Sequence, residues 1–443
     1  MSKTILHEGD KGVSLIIRHV KSKQAKKPAK AEGGRRSPVH VVYGGAHLFA
    51  VGTTQKFGEI ALRSLKAYAP NSIEFGTVFN IEGNELSLAA TVYERTRRKL
   101  ETEPVEDFRI DFEDGYGFRA DEVEDADAER SAGELAAGFR EGSITTFSGF
   151  RIKSYASESR ERARRTLNIF LDKLLEATKG KLPQNFVVTL PKITEKKEVS
   201  ELSRDLKKIE KMNRLKEGSV KIELMIEHPL AIIDKKGNLA VRNILDAARG
   251  RCVAAHFGAY DYTAALGIAA SYRDISHPAC DLARQIMLVS LKPLGIRLSD
   301  SITPEMPVPT HKGEKLSEKQ KIENKAAVIG GWRAHFSNIR RSMAKGFYQS
   351  WDLHPNQLVA RYAAVYSFFL ENLDAQGARL RSFIDNASQA TLTGQHFDEA
   401  ATAMGLVNFF RQGLDCAAFD EAEIKKATGL SAAELGSFSF KGC

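Results

Sequence analysis

The chain has 443 residues, room for two or three small domains or one large domain with additions at roughly 150 residues per domain. Its 42% apolar and 27% charged content, with 34 Gly and 13 Pro, excludes collagen-like and disordered classes, and no apolar run reaches the ~20 residues of a spanning helix. The start, MSKTILHEGDKG, lacks the apolar stretch of a signal peptide, so a cytoplasmic address without a membrane partner is expected.

Four cysteines, Cys252, Cys280, Cys416 and Cys443, stand far apart with no C-x-x-C, a pattern that speaks against a disulfide framework or thiolate zinc site and for free thiols. Within a net charge of +9, Arg18 to Arg36 holds eight basic residues against one acidic, Glu32. That segment, RHVKSKQAKKPAKAEGGRR, has no apolar period and no aromatic residues to stack on bases. Residues 1–38 are therefore expected to be a solvated basic arm rather than a nucleic-acid site.

Beyond the arm, strand-length apolar runs alternate with longer stretches of helical period. The runs are Val39 to Gly45, Phe108 to Asp114, Phe150 to Tyr155, Phe186 to Lys192, Lys221 to Glu227, Cys252 to Asp261, Ile296 to Ser301 and Phe347 to His354. Several are apolar on both faces, as strands of a parallel sheet must be. Between them, Ala156 to Lys179 carries Leu167, Phe170, Leu174 and Leu175 on one face, and Pro278 opens another helix with Leu282, Ile286 and Val289.

Eight strands with helical crossovers predict an α/β chain, a (β/α)8 TIM barrel over residues 39–370. An open doubly wound sheet is the alternative, and it lacks its G-x-G-x-x-G. An insertion at Pro70 to Glu106 carries an extra helix, and the charged stretch His311 to Lys325 lengthens the last connection. The acidic run from Asp121 to Glu129 suits the start of a helix and reads as a solvated face. Residues 371–443 show helical patterns and no strand, a C-terminal helical extension.

The chemistry lies at the run ends. Nearly every run is apolar in its body and finishes in reactive groups: Asp111, Glu113 and Asp114; Arg151 and Lys153; Lys192; Glu227; Asp261; Asp300; His354. In a barrel these ends converge on one face, the active-site rim. Glu227 and Asp261 end neighbouring runs about 5 Å apart, and two carboxylates so placed suit Mg2+, with Mn2+ as the other candidate. The alternatives are a helix N-cap for Asp261 and a salt bridge for Glu227.

Arg151 suits a bidentate grip on a carboxylate or developing oxyanion, against a structural pairing with Glu113 or Asp114. Lys192 raises a Schiff base. His354, before a proline, either orients substrate or bonds the backbone; Asp300 either serves the site or caps and solvates a loop.

In this order the segments RIDFEDG, FRIKSY, TLPKI, MIEHPLAI, AHFGAYDYTAALG and SWDLHPNQ resemble those of the HpcH/HpaI aldolase and citrate lyase β-subunit superfamily, malyl-CoA lyase-like members in particular, over about residues 39 to 370. The resemblance implies a divalent ion on Glu227 and Asp261, with Glu113, Asp114 and Arg151 in the catalytic set. Arg151, Lys192, Asp300 and His354 fall among the residues expected to meet substrate. It further implies reversible carbon–carbon cleavage of a 3-hydroxy acid or its coenzyme A thioester, yielding a 2-oxo acid or aldehyde, through a metal-stabilised enolate. The alternatives are malate-synthase-like condensation, acyl-CoA thioester hydrolysis, or a barrel without catalysis that binds partners through its arm. A homo-oligomer, trimer or hexamer, is implied too. The chain departs from the family where YGG replaces V-P-G at the first strand and Lys153 replaces the Asn of R-x-N.

Overall fold

A computed structural model of the chain describes residues 36–81, 87–393 and 400–437; the basic arm up to residue 35 and Cys443 lie outside the described residues. Eight strands, β1 (His40–Gly45), β2 (Asp107–Asp111), β3 (Phe147–Arg151), β4 (Phe186–Leu190), β5 (Lys221–Ile226), β6 (Cys252–Phe257), β7 (Arg297–Ser299) and β8 (Ser350–Asp352), form one sheet. Their order is β7-β6-β5-β4-β3-β2-β1-β8, with every pairing parallel. A parallel bridge from Ser299 to Gln349 joins the two edges, so the sheet is a nearly closed (β/α)8 barrel, as the order of runs predicts.

Helices cover it: α1 (Thr53–Tyr68), α2 (Ser72–Phe79) and α3 (Leu88–Thr102) lie between β1 and β2, then come α4 (Asp121–Glu141), α5 (Arg160–Ala177) and α6 (Lys196–Met212). After β5 come α7 (Pro229–Ile232) and α8 (Ala240–Ala247), and after β6 come α9 (Ala259–Ala265) and α10 (Pro278–Leu291). The long α11 (Glu318–Ala344) precedes β8, and α12 (Gln357–Leu370) follows it. The chain divides into two compact units, one being Pro38–Ala364. In the other, α13 (Leu373–Thr393), α14 (Ala400–Asp415), α15 (Glu421–Thr428) and α16 (Ala432–Ser437) carry no strand among the described residues, and the rings of Phe369, Phe409 and Phe419 cluster there. No helix of the described residues is long and apolar enough to cross a membrane, and Cys252, Cys280 and Cys416 are buried free thiols.

The barrel interior is unusually polar. Arg109 on β2 bonds Thr189 of β4 at 3.2 Å and Glu223 of β5 at 3.1 and 2.8 Å, and it pairs with Asp107. Glu223 lies 2.9 Å from His256 of β6, while Tyr43 of β1 bonds Glu223 and Trp351 of β8 bonds His256. Apart from Glu223 and His256, which stand on the adjacent strands β5 and β6, the partners on different strands come from strands that are not neighbours, so the side chains meet across the interior. Aliphatic layers usually fill this space; charges survive here because each finds a partner. Since strand side chains alternate, Asp111 and Arg151 fall on the same inner face, one or two steps nearer the mouth.

On the outer face, aspartates at the ends of the two shortest strands bind the covering helices. Asp352 accepts from His40 at 2.5 Å, His335 at 2.7 Å and Arg361 at 2.7 Å. Asp300 accepts from Arg284 at 2.9 Å and Ser342 at 2.5 Å. Strands of three residues make few ladder bonds, and these buried pairs supply the missing attachment.

Two readings of the sequence are corrected. β3 begins at Phe147 rather than Phe150, because Gly149, which reads as punctuation, is a strand residue: a Cβ there would stand 2.1 Å from the Val187 carbonyl oxygen. The acidic run does open α4, and Asp121, Glu122 and Glu129 are exposed as expected, but Glu124 does not belong to a solvated face. Glu124 is fully buried against Lys153 at 2.6 Å and Thr166 at 2.5 Å, and Lys153 also donates to the Phe112 carbonyl at 2.8 Å. Lys153 thus ties α4 to the segments that follow β2 and β3.

Replacing Glu223 by alanine takes from buried Arg109 one of its two carboxylate partners and from Thr189 and Tyr43 their acceptor. The expected loss is about 3–5 kcal/mol, measured as a shift in the urea unfolding midpoint with unchanged slope.

Candidate active site at the strand ends

Parallel strands deliver their C-terminal residues to one rim, and β2 to β5 place ionisable groups there side by side. Register pairs Asp111 with Arg151 on adjacent strands. Arg151 donates from Nε to Asp111 Oδ1 at 2.7 Å and from Nη2 to Oδ2 at 2.5 Å, a bidentate grip that fixes the guanidinium plane. Its remaining nitrogen, Nη1, lies 3.2 Å from Glu113 and 3.6 Å from Asp114. Arg151 is 3% exposed, and although burial lowers its pKa, Asp111 outweighs that and holds it well above the usual value.

Asp111 also shapes the turn that follows. It accepts the Glu113 N–H at 3.0 Å and the Gly115 N–H at 2.7 Å, and a side chain at Gly115 would stand 2.6 Å from Asp111 Oδ2. The E-D-G segment therefore wraps around the strand-end aspartate, which turns Glu113 and Asp114 toward the cations.

Lys192 connects this group to β5. Its Nζ lies 2.5 Å from Glu113 and 2.9 Å from Asp114, while its backbone N–H donates to Glu227 Oε1 at 2.6 Å. That second bond accompanies an uncommon backbone, φ 52°, a left-handed conformation that lysine adopts at a cost and that recurs at functional sites. Burial lowers the Lys192 pKa, but hydrogen bonds to Asp114 and Glu113 prevail and raise it. A Schiff-base lysine needs a neutral amine, so these ion pairs oppose that chemistry.

Glu227 follows the last residue of β5 and is 3% exposed. Burial, and next the charge of Asp261, push its pKa up to about 8, with Glu113 adding to the effect. Gly258 makes room for it: a Cβ there would sit 2.6 Å from Glu227 Cβ and 2.7 Å from Oε2. Asp261 is exposed in the first turn of α9. It does not end a strand, because β6 stops at Phe257 and Gly258 begins the turn. Its charge still acts on Glu227.

This pair fits a hard divalent cation: both ligands are carboxylate oxygens, and a dication would offset the repulsion and burial that now drive Glu227 toward its protonated form. Among the described residues no group of three His, Cys, Asp or Glu is arranged around a metal position, so further ligands would come from water and substrate.

The structure thus brings together Arg151, Glu113, Asp114, Lys192 and Glu227, with Asp261 coupled through charge. Two candidates stand apart. Asp300 is buried on the outer face with both oxygens occupied by Arg284 and Ser342. His354 lies beyond β8 and accepts the Asn356 N–H at 3.1 Å through Nδ1, while burial lowers its pKa. Sequence reasoning missed Gly258, signalled only by the F-G step after a strand, and Tyr43, signalled by the departure YGG.

The family model of DUF6986, a domain of unknown function, matches residues 20–443. No curated protein matches the sequence. Among solved structures, the chain is similar to a citrate lyase from Burkholderia xenovorans LB400, at 16% identity and TM-score 0.52, covering 91% of this chain and 100% of that one. It is also similar to a magnesium/glyoxylate complex of Haloferax volcanii malate synthase, at 13% identity and TM-score 0.46, covering 92% and 99%. A third likeness is to an HpcH/HpaI aldolase/citrate lyase family protein from Burkholderia cenocepacia J2315, at 10% identity and TM-score 0.40, covering 78% and 95%. At such identities the likeness is one of fold.

In metal-free protein, Glu227 keeps its proton up to pH about 8, against 4.5 ordinarily. Between those values the folded state binds more protons than the unfolded state, so this group's contribution to stability falls as pH rises through the window. Glu227→Gln is expected to flatten that slope and to melt above the wild type at pH about 9, read as melting temperature against pH in EDTA.

Proposed function

The chain belongs to the DUF6986 family, and we propose that it is a carbon–carbon lyase of the citrate lyase and aldolase kind. It would cleave a 3-hydroxy acid or its coenzyme A thioester with Mg2+, or Mn2+, held by Glu227 and Asp261. The observation that carries this reading is a buried carboxylate, crowded by Asp261 and Glu113, beside a bidentate-anchored arginine at the mouth of a parallel barrel.

A divalent ion there would supply Lewis-acid stabilisation of the negative charge that builds on a 2-oxo acid as the neighbouring bond breaks. The protein's own groups do the rest. Arg151 presents Nη1 to a substrate carboxylate or oxyanion, and Asp111 fixes its plane so that little reorganisation is needed. The Lys192 N–H and the bare Cα of Gly258 hold Glu227 in one orientation. Lys192 keeps Glu113 and Asp114 turned toward Arg151, so that an incoming anion competes with Glu113 for Nη1. Burial of Arg151 and Glu227 keeps bulk water from screening either charge.

The test is a panel of malyl-CoA, citramalyl-CoA and the corresponding free hydroxy acids, assayed with Mg2+ and with EDTA. Metal-dependent release of a 2-oxo acid or aldehyde is expected, with Glu227→Gln and Asp261→Asn each losing a hundredfold or more of kcat/KM, on the order of 3 kcal/mol, while remaining folded. Condensation of acetyl-CoA with glyoxylate on the same site would assign the synthetic direction instead, and thioester hydrolysis without bond cleavage would assign a hydrolase. Unchanged turnover in both variants would refute the metal pair.

A further inference from the structure

Arg151 is held from the side by Asp111, and it also has a floor. Its Cζ lies 4.8 Å from the ring centroid of Tyr43, close enough for the π-face to attract the guanidinium. Tyr43 is itself fixed at both ends. Its hydroxyl donates to Glu223 Oε1 at 3.2 Å and lies 3.2 Å from His256 Nδ1, and its ring packs on Trp351 with centroids 4.7 Å apart. Trp351 Nε1 can only donate, so its 3.1 Å bond makes His256 Nδ1 an acceptor and leaves the ring proton on Nε2, which lies 2.9 Å from Glu223 Oε2. Glu223 is in turn pinned by Arg109 and Thr189.

A column of contacts therefore runs from the buried Arg109–Glu223 pair at the barrel's waist, through Tyr43, to Arg151 at its mouth. Where the V-P-G of the resembling family begins with valine, this chain has Tyr43, whose ring faces the Arg151 guanidinium while its hydroxyl is anchored below it. We propose that Tyr43 is a positioning residue whose ring sets the height of Arg151, preventing the guanidinium from sinking into the barrel and keeping Nη1 at the rim for a substrate carboxylate. This rests on the reading of Arg151 as the anion clamp of the proposed lyase site. Glu223, His256 and Trp351 would then be the mount for that ring, and the polar interior would serve the site as well as the fold.

The experiment is calorimetric titration of the full chain with Mg2+ alone and with oxalate, a planar mimic of a 2-oxo acid enolate, in the presence of Mg2+. Tyr43→Phe keeps the ring; Tyr43→Met keeps much of the volume without a π-face. Melting curves check that each variant folds. The expected result is unchanged Mg2+ affinity in both, oxalate affinity within about threefold of wild type for Tyr43→Phe, and a loss of roughly tenfold for Tyr43→Met. In Arg151→Ala, adding Tyr43→Met should weaken oxalate no further, a coupling that general loosening of the barrel would not give. Oxalate binding by Tyr43→Met equal to wild type, equal losses in the Phe and Met variants, or additive losses with Arg151→Ala would each overturn the inference. Failure of Mg2+ or oxalate to bind the wild type would instead remove the reading of the site, and the role of Tyr43 with it.

Discussion

Negative charge at the barrel mouth exceeds what the nearby cations neutralise, and the local structure follows from that imbalance. Among the described residues, the cations paired with Asp111, Glu113, Asp114, Glu227 and Asp261 are Arg151 and Lys192. Asp111 occupies two nitrogens of Arg151, and Glu113 and Asp114 share Lys192. Glu227 is left with a backbone N–H as its bonded partner and with Asp261 raising its pKa. Burying a carboxylate this way costs stability that a stability-driven sequence would avoid with an apolar residue. Its retention, with a glycine cleared beside it and a lysine held left-handed to bond it, points to a requirement for charge at that position.

The polar interior bears on how the site stays rigid. Arg109, Glu223, His256, Tyr43 and Trp351 come from five different strands, so the bonds of Arg109 and Tyr43 to Glu223 and of Trp351 to His256 are ties across the barrel. An aliphatic core would resist shifts of the strand ends through packing alone. Polar ties add a desolvation cost for any shift that breaks them. The outer aspartates act likewise at the weakest part of the sheet, where β7 and β8 are three residues long and the edges meet through a single bridge.

Most of the architecture was legible because parallel strands buried on both faces leave long apolar runs with ionisable ends, and because helical stretches of different period separate them. The motif order extended that to the site: Lys192 and Glu227 end the runs in which they were read, whereas Arg151, second in its run as read, closes β3 because that strand begins at Phe147. What was not legible depended on parity and on three-dimensional crowding. In a run apolar on both faces nothing marks which residues point inward, so Asp300 could not be told from Asp111, although one faces the helices and the other the mouth. Gly149 and Gly258 look alike as punctuation. One lies within a strand under a neighbouring carbonyl; the other ends a strand under a carboxylate, and that ending moved Asp261 onto a helix. Glu124 was hidden in an acidic run because its partners, Lys153 and Thr166, lie 29 and 42 positions away.

The division of labour among strands follows from these placements. β2 and β3 supply the cation and its holder, while β5 and the turn after β6 supply the carboxylate pair. β4 lies between them and contributes Lys192, whose ammonium binds the first group and whose backbone binds the second. A displacement of β4's end would therefore disturb Arg151 and the carboxylate pair together. The residue joining them is fixed at both its side chain and its amide. The site is in this sense one unit built across five adjacent strands, β2 to β6, with the lysine joining its two halves.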